Sequence, residues 1–330
     1  MKAISFSQHG PPDVLQVIDI DIPTPSDNNV LIRNHAIGVN YVDVQHRQGG
    51  YYNVALPLIP GIEAAGTVEA VGQDVTEFAP GDRVAYGGYM GGNYAEYTLV
   101  PEDRLVPVPD EIDPEMAAAI LLQGMTAYSL THYVYPVQEG DWVLIHAAAG
   151  GVGGLLVQCA RLRGATVIGT VSTEAKAQFV HTLGAQHVVQ HTQQDFEQVV
   201  NQLTEDSGVH VVYDANGKDT FDKSLACLRK CGYMVCYGQT SGEVPPFAIN
   251  RLSGITPNSS RGSLFLTWAA LSHYVETRAS LLACAQAVFD LLMQGHVIPH
   301  IAGRLPLEDA AEAHRIVELR QVVGKFLLIP

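Results

Sequence analysis

The chain has 330 residues, 47% hydrophobic and 16% charged, with a formal net charge of −15. That length suits about two domains, each able to bury its own core. The negative balance excludes a general affinity for nucleic acid or anionic membrane, because both require a basic surface to displace counterions, and it leaves room only for local basic pockets.

Met1–Phe6 runs straight into a strand pattern, with no long apolar core or small-residue cleavage site, so no signal peptide is expected. No apolar run approaches the length of a membrane-spanning helix, and a cytoplasmic protein is the expectation. Up to about Pro109 the chain carries short β patterns: Val30–Asn34, Ala64–Val71, Arg83–Tyr86 and Ala95–Val100. Turn clusters such as Gly10-Pro-Pro12 and Ala79-Pro-Gly-Asp82 separate them. Frequent short strands of this kind predict a compact, mostly antiparallel, barrel-like domain. Within it only Tyr41–His46 and Glu115–Leu122 look like short helices.

Thr126–Tyr133 reads as helical, and then the pattern alternates. Strands are expected at Trp142–His146, Val167–Val171, Val188–Gln190, Val209–Ala215 and Tyr233–Tyr237, with helices between them and a last strand at Gly262–Leu266. This alternation specifies a doubly wound parallel sheet. The tail, with helices near Glu276–Gly295 and Leu307–His314 and a strand at Phe326–Ile329, is expected to return to the N-terminal domain.

The most informative stretch is Trp142–Ile168, an apolar strand, a turn of small residues, a helix and a second strand. In the G-x-G-x-x-G fingerprint the glycines allow a tight turn, close approach of a pyrophosphate and close helix–strand packing. The three positions here are Ala148, Gly150 and Gly153, so the first glycine is missing, but the strand–turn–helix context restores the reading. The helix amides and dipole that open at Gly150, Gly151 and Val152 would face phosphates. The five cysteines, Cys159, Cys227, Cys231, Cys236 and Cys284, are odd in number and are expected as free thiols. A helix end is expected between Cys227 and Cys231, so they are not expected to act as a pair.

Taken together, Ala36–Asp43, Gly61–Gly66, Ala79–Val84, His146–Gly153, Ile168–Thr170, Val211–Asp214 and Phe326–Pro330 resemble the zinc-free quinone oxidoreductases of the medium-chain dehydrogenase/reductase superfamily, which include zeta-crystallin. The resemblance covers essentially the whole chain. It implies a GroES-like, mostly β domain over 1–122 and 290–330, with an NADP-binding Rossmann domain inserted over 123–289. It also implies a cofactor between the domains and a homodimer formed by pairing sheet edges.

Zinc members of that superfamily use a Cys in the loop matching Gly38–Asn40, a His matching Ile62 and a later Cys. Asn40 and Ile62 remove two ligands, no Cys precedes Cys159, and the 13 His are scattered, so no metal is expected. An alcohol needs a Lewis acid to stabilise its developing alkoxide, whereas a quinone or other conjugated carbonyl is already electrophilic.

NAD-preferring Rossmann domains carry an acidic residue at the end of the second strand, about 20 residues after the turn. Here that place holds Val171, followed by Ser172 and Thr173, and Lys176 matches the family's phosphate-facing lysine. His191 stands where close relatives carry a Tyr and would add a donor. NADPH is therefore the expected cofactor, the alternative for Lys176 being a solvated helix charge. The resemblance carries over further cofactor residues, Asn40, Tyr41, Gln45, Thr126, Ser129, Asn216, Tyr237, Gly238, Gln239, Thr240 and Arg320. The alternative for Arg320 is a surface arginine.

On the substrate side it implies Asn40, Asp43, Gln45, Arg47 and Tyr51, with Asn40 the first candidate for orienting substrate or ribose by hydrogen bonding. Asp43 reads equally as an internal ion-pair partner. Three functions follow: hydride transfer from NADPH to a quinone, reduction of an activated C=C bond, or a binding protein that holds NADPH as a structural ligand.

Overall fold

The computed structural model describes residues 1–50, 52, 54–255, 261–320 and 323–330. In chain order its first elements are β1 (Lys2–Ser5), β2 (Gln16–Asp19), β3 (Asn29–Val39), α1 (Tyr41–Gln48), β4 (Glu63–Val71), β5 (Arg83–Gly87), β6 (Tyr97–Pro101), β7 (Val106–Pro107) and α2 (Pro114–Ser129). Next come β8 (Trp142–Ile145), α3 (Gly151–Leu162), β9 (Thr166–Val171), α4 (Glu174–Thr182), β10 (His187–Gln190), α5 (Phe196–Leu203), β11 (Val209–Asp214), α6 (Phe221–Cys227), β12 (Leu228–Cys236) and β13 (Phe265–Trp268). The chain closes with α7 (Leu271–Tyr274), α8 (Arg278–Met293), β14 (Ile301–Pro306), α9 (Ala310–Glu318) and β15 (Lys325–Ile329).

Two compact units result, Met1–Met125 with Val275–Pro330, and Thr126–Tyr274. They divide three residues after the first boundary expected from the sequence and fifteen before the second, the latter because α8 packs within the first unit. Its Val288 sits against Gly124, where a Cβ would stand 2.7 Å from Val288 Cγ1. Arg278, at its start, donates to Glu77 Oε2 and to the Leu105 carbonyl. Helical periodicity reports that a face is apolar, and says nothing about which domain receives it.

The first unit holds a seven-stranded sheet ordered β14-β15-β3-β4-β5-β7, with β6 also paired to β3; β1 and β2 form a separate antiparallel pair. Every pairing in the larger sheet is antiparallel except β14–β15. Strand β15 supplies the expected return of the tail. Phe326 pairs with Val39 and Leu327 with Gly38, a register that brings Lys325 alongside Asn40. The core beneath gathers Phe6, Ile32, Ile37, Tyr86, Tyr94 and Leu328.

The second unit is a six-stranded parallel sheet ordered β10-β9-β8-β11-β12-β13. Val143, Leu144, Ile145, Val211, Val212 and Tyr213 are fully buried, as strands covered on both faces require. Strand order reverses between β8 and β11, the place where open α/β sheets bind ligands.

Two local expectations shift. The helices read separately at Glu115–Leu122 and Thr126–Tyr133 are one helix, α2, followed by a π-helical turn over Leu130–Val134. A lone Gly124 does not break a buried helix. The last strand begins at Phe265 rather than Gly262, because Gly262 and Ser263 have φ of 128° and 51° and cannot pair as extended residues. Helix α6 ends at Cys227 and β12 opens at Leu228, so the expected break before Cys231 is present. Among the described residues no helix is long and apolar enough to cross a membrane.

Candidate active site

The expected cofactor residues of the second unit collect along the carboxyl edge of its sheet. Gly150 caps α3 in extended geometry, and Gly151 and Val152 form the first turn of that helix. A Cβ at Gly153 would lie 2.2 Å from the Ala147 carbonyl oxygen, so glycine is required for α3 to approach β8 this closely. Ala148, at the first fingerprint position, does not adopt a positive φ; the left-handed residue is its neighbour Ala147, at φ 51°, a conformation that costs a non-glycine residue about 1 kcal/mol or more.

At the ends of β9 and β10, Val171 is buried and Ser172 and Thr173 follow it. Thr173 caps α4 by accepting from the Lys176 amide. The amide of His191 donates to the Val171 carbonyl (3.0 Å), and Thr192 Oγ1 donates to the Ser172 carbonyl, so the two strand ends are tied together. Lys176 is half-buried, and burial lowers its pKa. Glu174, which opens α4, accepts from Gln190 Nε2 (2.5 Å) and Gln178 Nε2 (3.2 Å).

Beyond β11 and β12 two loops interlock. Buried Asp214 accepts from the Asn216 and Gly217 amides and from Thr220 Oγ1. Tyr237 donates its amide to Asp214, Thr240 to Ala215 and Ser241 to Asn216. Asn216, Tyr237, Gly238, Gln239 and Thr240 are thus brought together. Thr126 is half-buried near the end of α2, while Ser129 is buried at 2% exposure.

In the first unit the head of α1 is built on a buried polar network. The Lys325 ammonium donates to Glu63 Oε2 (2.5 Å) and Asn40 Oδ1 (2.7 Å). Gln123 Nε2 donates to the same Asn40 oxygen (3.2 Å). Asn40 Nδ2 donates to Glu63 Oε2 (3.0 Å) and to the Gly38 carbonyl (3.2 Å), and the Leu122 amide donates to Glu63 Oε1 (2.8 Å). Both lone pairs and both hydrogens of the Asn40 amide are therefore occupied. The expectation that Asn40 contacts substrate directly needs correction: it is a node that holds the loop entering α1.

Asp43 and Arg47 need the same correction. Both have 0% exposure and lie behind the site rather than on it. Asp43 Oδ2 accepts from the Asn40 amide (2.8 Å) and from Tyr94 Oη (3.2 Å), which also meets His314 Nε2 at 3.1 Å. Arg47 bridges α1 to Glu318 of α9. Of the two readings of Asp43, the internal one is closer, although its partners are an amide and a phenol rather than a cation. What α1 leaves open is Tyr41, Val42, Gln45 and Gln48, the last of which donates to Glu318. Tyr51 lies outside the described residues. Arg320 is exposed just past α9, at φ 52°.

Glu63, Gln123 and Lys325 were missed from the sequence. The available signal was a charge where none belongs: Glu63 stands inside the apolar Gly61–Gly66 run, and Lys325 opens the apolar strand Phe326–Ile329.

A mostly antiparallel unit joined in sequence to a parallel unit with a dinucleotide edge is the architecture of the medium-chain dehydrogenases/reductases. The alcohol dehydrogenase GroES-like domain matches residues 26–110, and the zinc-binding dehydrogenase family matches residues 151–280. A Burkholderia 2-haloacrylate reductase is 41% identical over 335 residues, covering 100% of this chain and 99% of its own. A Pseudomonas aeruginosa quinone oxidoreductase is 39% identical over 329 residues, with 100% and 99% covered. The structure of Escherichia coli quinone oxidoreductase complexed with NADPH superposes with a TM-score of 0.95 at 37% identity, with 100% of both chains covered. The chain belongs to the quinone oxidoreductase family of the medium-chain dehydrogenases/reductases.

The zinc in one family name does not fit these residues. The amide of Asn40 is a poor zinc donor and is already saturated, and a fixed ammonium 2.7 Å from its oxygen would repel a second cation. NADPH does fit: glycine permits the α3 approach, helix amides open the edge, and the β9 end offers hydroxyls and a half-buried lysine with no carboxylate at Val171.

Burial raises the Asp43 carboxyl to about 7, against the lowering effects of the Asn40 amide, the Lys325 charge and Tyr94. A carboxyl raised on folding contributes stability that is complete below its unfolded pKa and is lost as pH rises through the folded value. Relative to wild type, the melting temperature of Asp43→Asn is therefore expected to climb between about pH 4 and pH 7. Thermal melts of the two proteins across this range check it; a constant offset would show that Asp43 does not titrate there.

Proposed function

We propose that the protein is a metal-independent reductase that uses NADPH to reduce a quinone. The observation that carries this reading is the occupied metal position: a dinucleotide edge is retained while Asn40, Lys325 and Glu63 close the place where a Lewis acid would act. An acceptor that is electrophilic by itself suits such a site.

When bound, NADPH supplies the hydride. The amides at Gly150, Gly151 and Val152 hold the pyrophosphate with the α3 dipole, and Ser172, Thr173, Lys176 and His191 hold the 2′-phosphate. Thr126, Asn216, Tyr237, Gly238, Gln239 and Thr240 fix the nicotinamide end, and Arg320 is assigned to the cofactor as a C-terminal cation. Tyr41 and Gln45, on the open face of α1, orient the acceptor, with Asn40 positioning that helix from behind. Catalysis on this reading is chiefly orientation and exclusion of water, and the proton comes from solvent.

A second reading, reduction of an activated C=C bond, is favoured by the 41% identity to a 2-haloacrylate reductase, since the same hydride geometry serves either acceptor. After exhaustive chelation, NADPH oxidation is measured with a quinone panel and with an enone and 2-haloacrylate panel. Full turnover with quinones is expected. Turnover confined to the alkenes selects the second reading, and activity restored by stoichiometric zinc overturns both.

Lys176→Ala is expected to weaken NADPH about tenfold and leave NADH unchanged, since only NADPH carries the contacted group. A charge-assisted hydrogen bond is worth roughly 1.5–3 kcal/mol, and partial exposure favours the lower end. Paired dissociation constants decide; equal losses would remove Lys176 from the phosphate site.

We also propose a homodimer through β13, which ends the parallel sheet and exposes Phe265 (50%), Leu266 (37%) and Trp268 (44%). Light scattering at micromolar concentration is expected to give twice the chain mass, and a monomer mass counts against it.

A further inference from the structure

Lys325 offers only donors and Glu63 only acceptors. Set on two sides of the Asn40 amide, they allow it a single orientation, oxygen toward Lys325 and nitrogen toward Glu63. The second lone pair of that oxygen faces Gln123, which must therefore present Nε2 to it. Gln123 Oε1 is thereby turned out of the network. It is buried without a partner among the described residues, on a side chain with 9% exposure.

A buried carbonyl oxygen left unpaired is costly, and native proteins satisfy such atoms with water or a ligand. Lys325 and Gln123 both donate to Asn40 Oδ1, and an amide that donates through its nitrogen is polarised so that its own oxygen becomes a better acceptor. We propose that Gln123 Oε1 is a ligand contact, accepting an N–H or O–H from the bound cofactor or the reduced acceptor, with its polarity set by the Lys325–Glu63 pair. The inference rests on the NADPH reductase reading. Within that reaction two groups carry such a donor: the carboxamide of NADPH, and the hydroxyl of a hydroquinone product. An oxidised quinone offers acceptors only, so this contact discriminates between the two redox states of the acceptor.

Two ligand pairs separate the sources. NADPH is compared with its reduced 3-acetylpyridine analogue, which has a methyl ketone in place of the carboxamide, and hydroquinone is compared with its dimethyl ether on the NADP+ complex. Dissociation constants are measured for wild type, Gln123→Met and the double variant Lys325→Met/Glu63→Gln. In one pair, Gln123→Met is expected to weaken the donor-bearing member about three- to tenfold, the worth of one neutral hydrogen bond, and to leave the other unchanged. The double variant should weaken the same member, because nothing then forces the amide polarity. Replacing both members of a buried ion pair is often neutral for stability, so this variant keeps the test open if Gln123→Met does not fold. Equal losses within each pair, or no loss in either, overturn the proposal in favour of an internal water. Absence of turnover with every acceptor would sink the reduction reading alone, since the carboxamide pair is read by binding.

Discussion

The buried pair of Lys325 and Glu63 is the constraint on which the first unit's functional face depends. Their side chains are 1% and 0% exposed, and with Asn40 and the Leu122 amide they join β15, β4, the head of α1 and α2. A buried charge left without its partner costs about 3–5 kcal/mol, so neither residue is dispensable alone. Gly38 is the local condition for the pair, since a Cβ there would lie 2.4 Å from Glu63 Oε2 and 2.9 Å from the Ala118 carbonyl. An eight-residue helix has little stability of its own, so α1 is placed by these anchors, by Asp43 on Tyr94 and by Arg47 on Glu318. Its open residues, Tyr41 and Gln45, inherit their positions.

The second unit works by a different rule. Parallel pairing sends every strand-to-helix turn to one edge, so residues far apart in sequence, Gly150, Ser172, His191, Asn216 and Gln239, share that edge. Small residues then decide what the edge can hold. Gly153 allows the helix to close on the strand, while Ala147 takes up the left-handed turn at some cost. Lys176 stands half-buried, and that burial lowers its pKa.

The two units thus divide the chemistry. One supplies donors suited to a phosphorylated dinucleotide. The other fills a metal position with an internal ammonium, and this restricts the acceptor to molecules that need no Lewis acid. Such a site gains its power from orientation, which explains the investment in buried polar anchors behind α1.

Much of this was legible in the residues themselves. Apolar runs alternating with helical spacing after Pro114 specify a parallel sheet, the Gly150–Gly153 turn specifies its ligand edge, and the absence of a carboxylate at Val171 specifies which dinucleotide is tolerated. These are local properties, written within a few residues of where they act. Burial of Asp43, Arg47 and Ser129 was not legible, because a short polar helix shows its composition and not which face the core covers. The network that replaces the metal was hidden for a further reason. Lys325 meets Glu63 across 262 residues and Asn40 across 285, and only the β15–β3 register brings them together. Register is decided by which strands pair and by how their buried faces align. The sequence determined that charges stand in two apolar strands, and the tertiary structure alone decided that they meet, and therefore what they do.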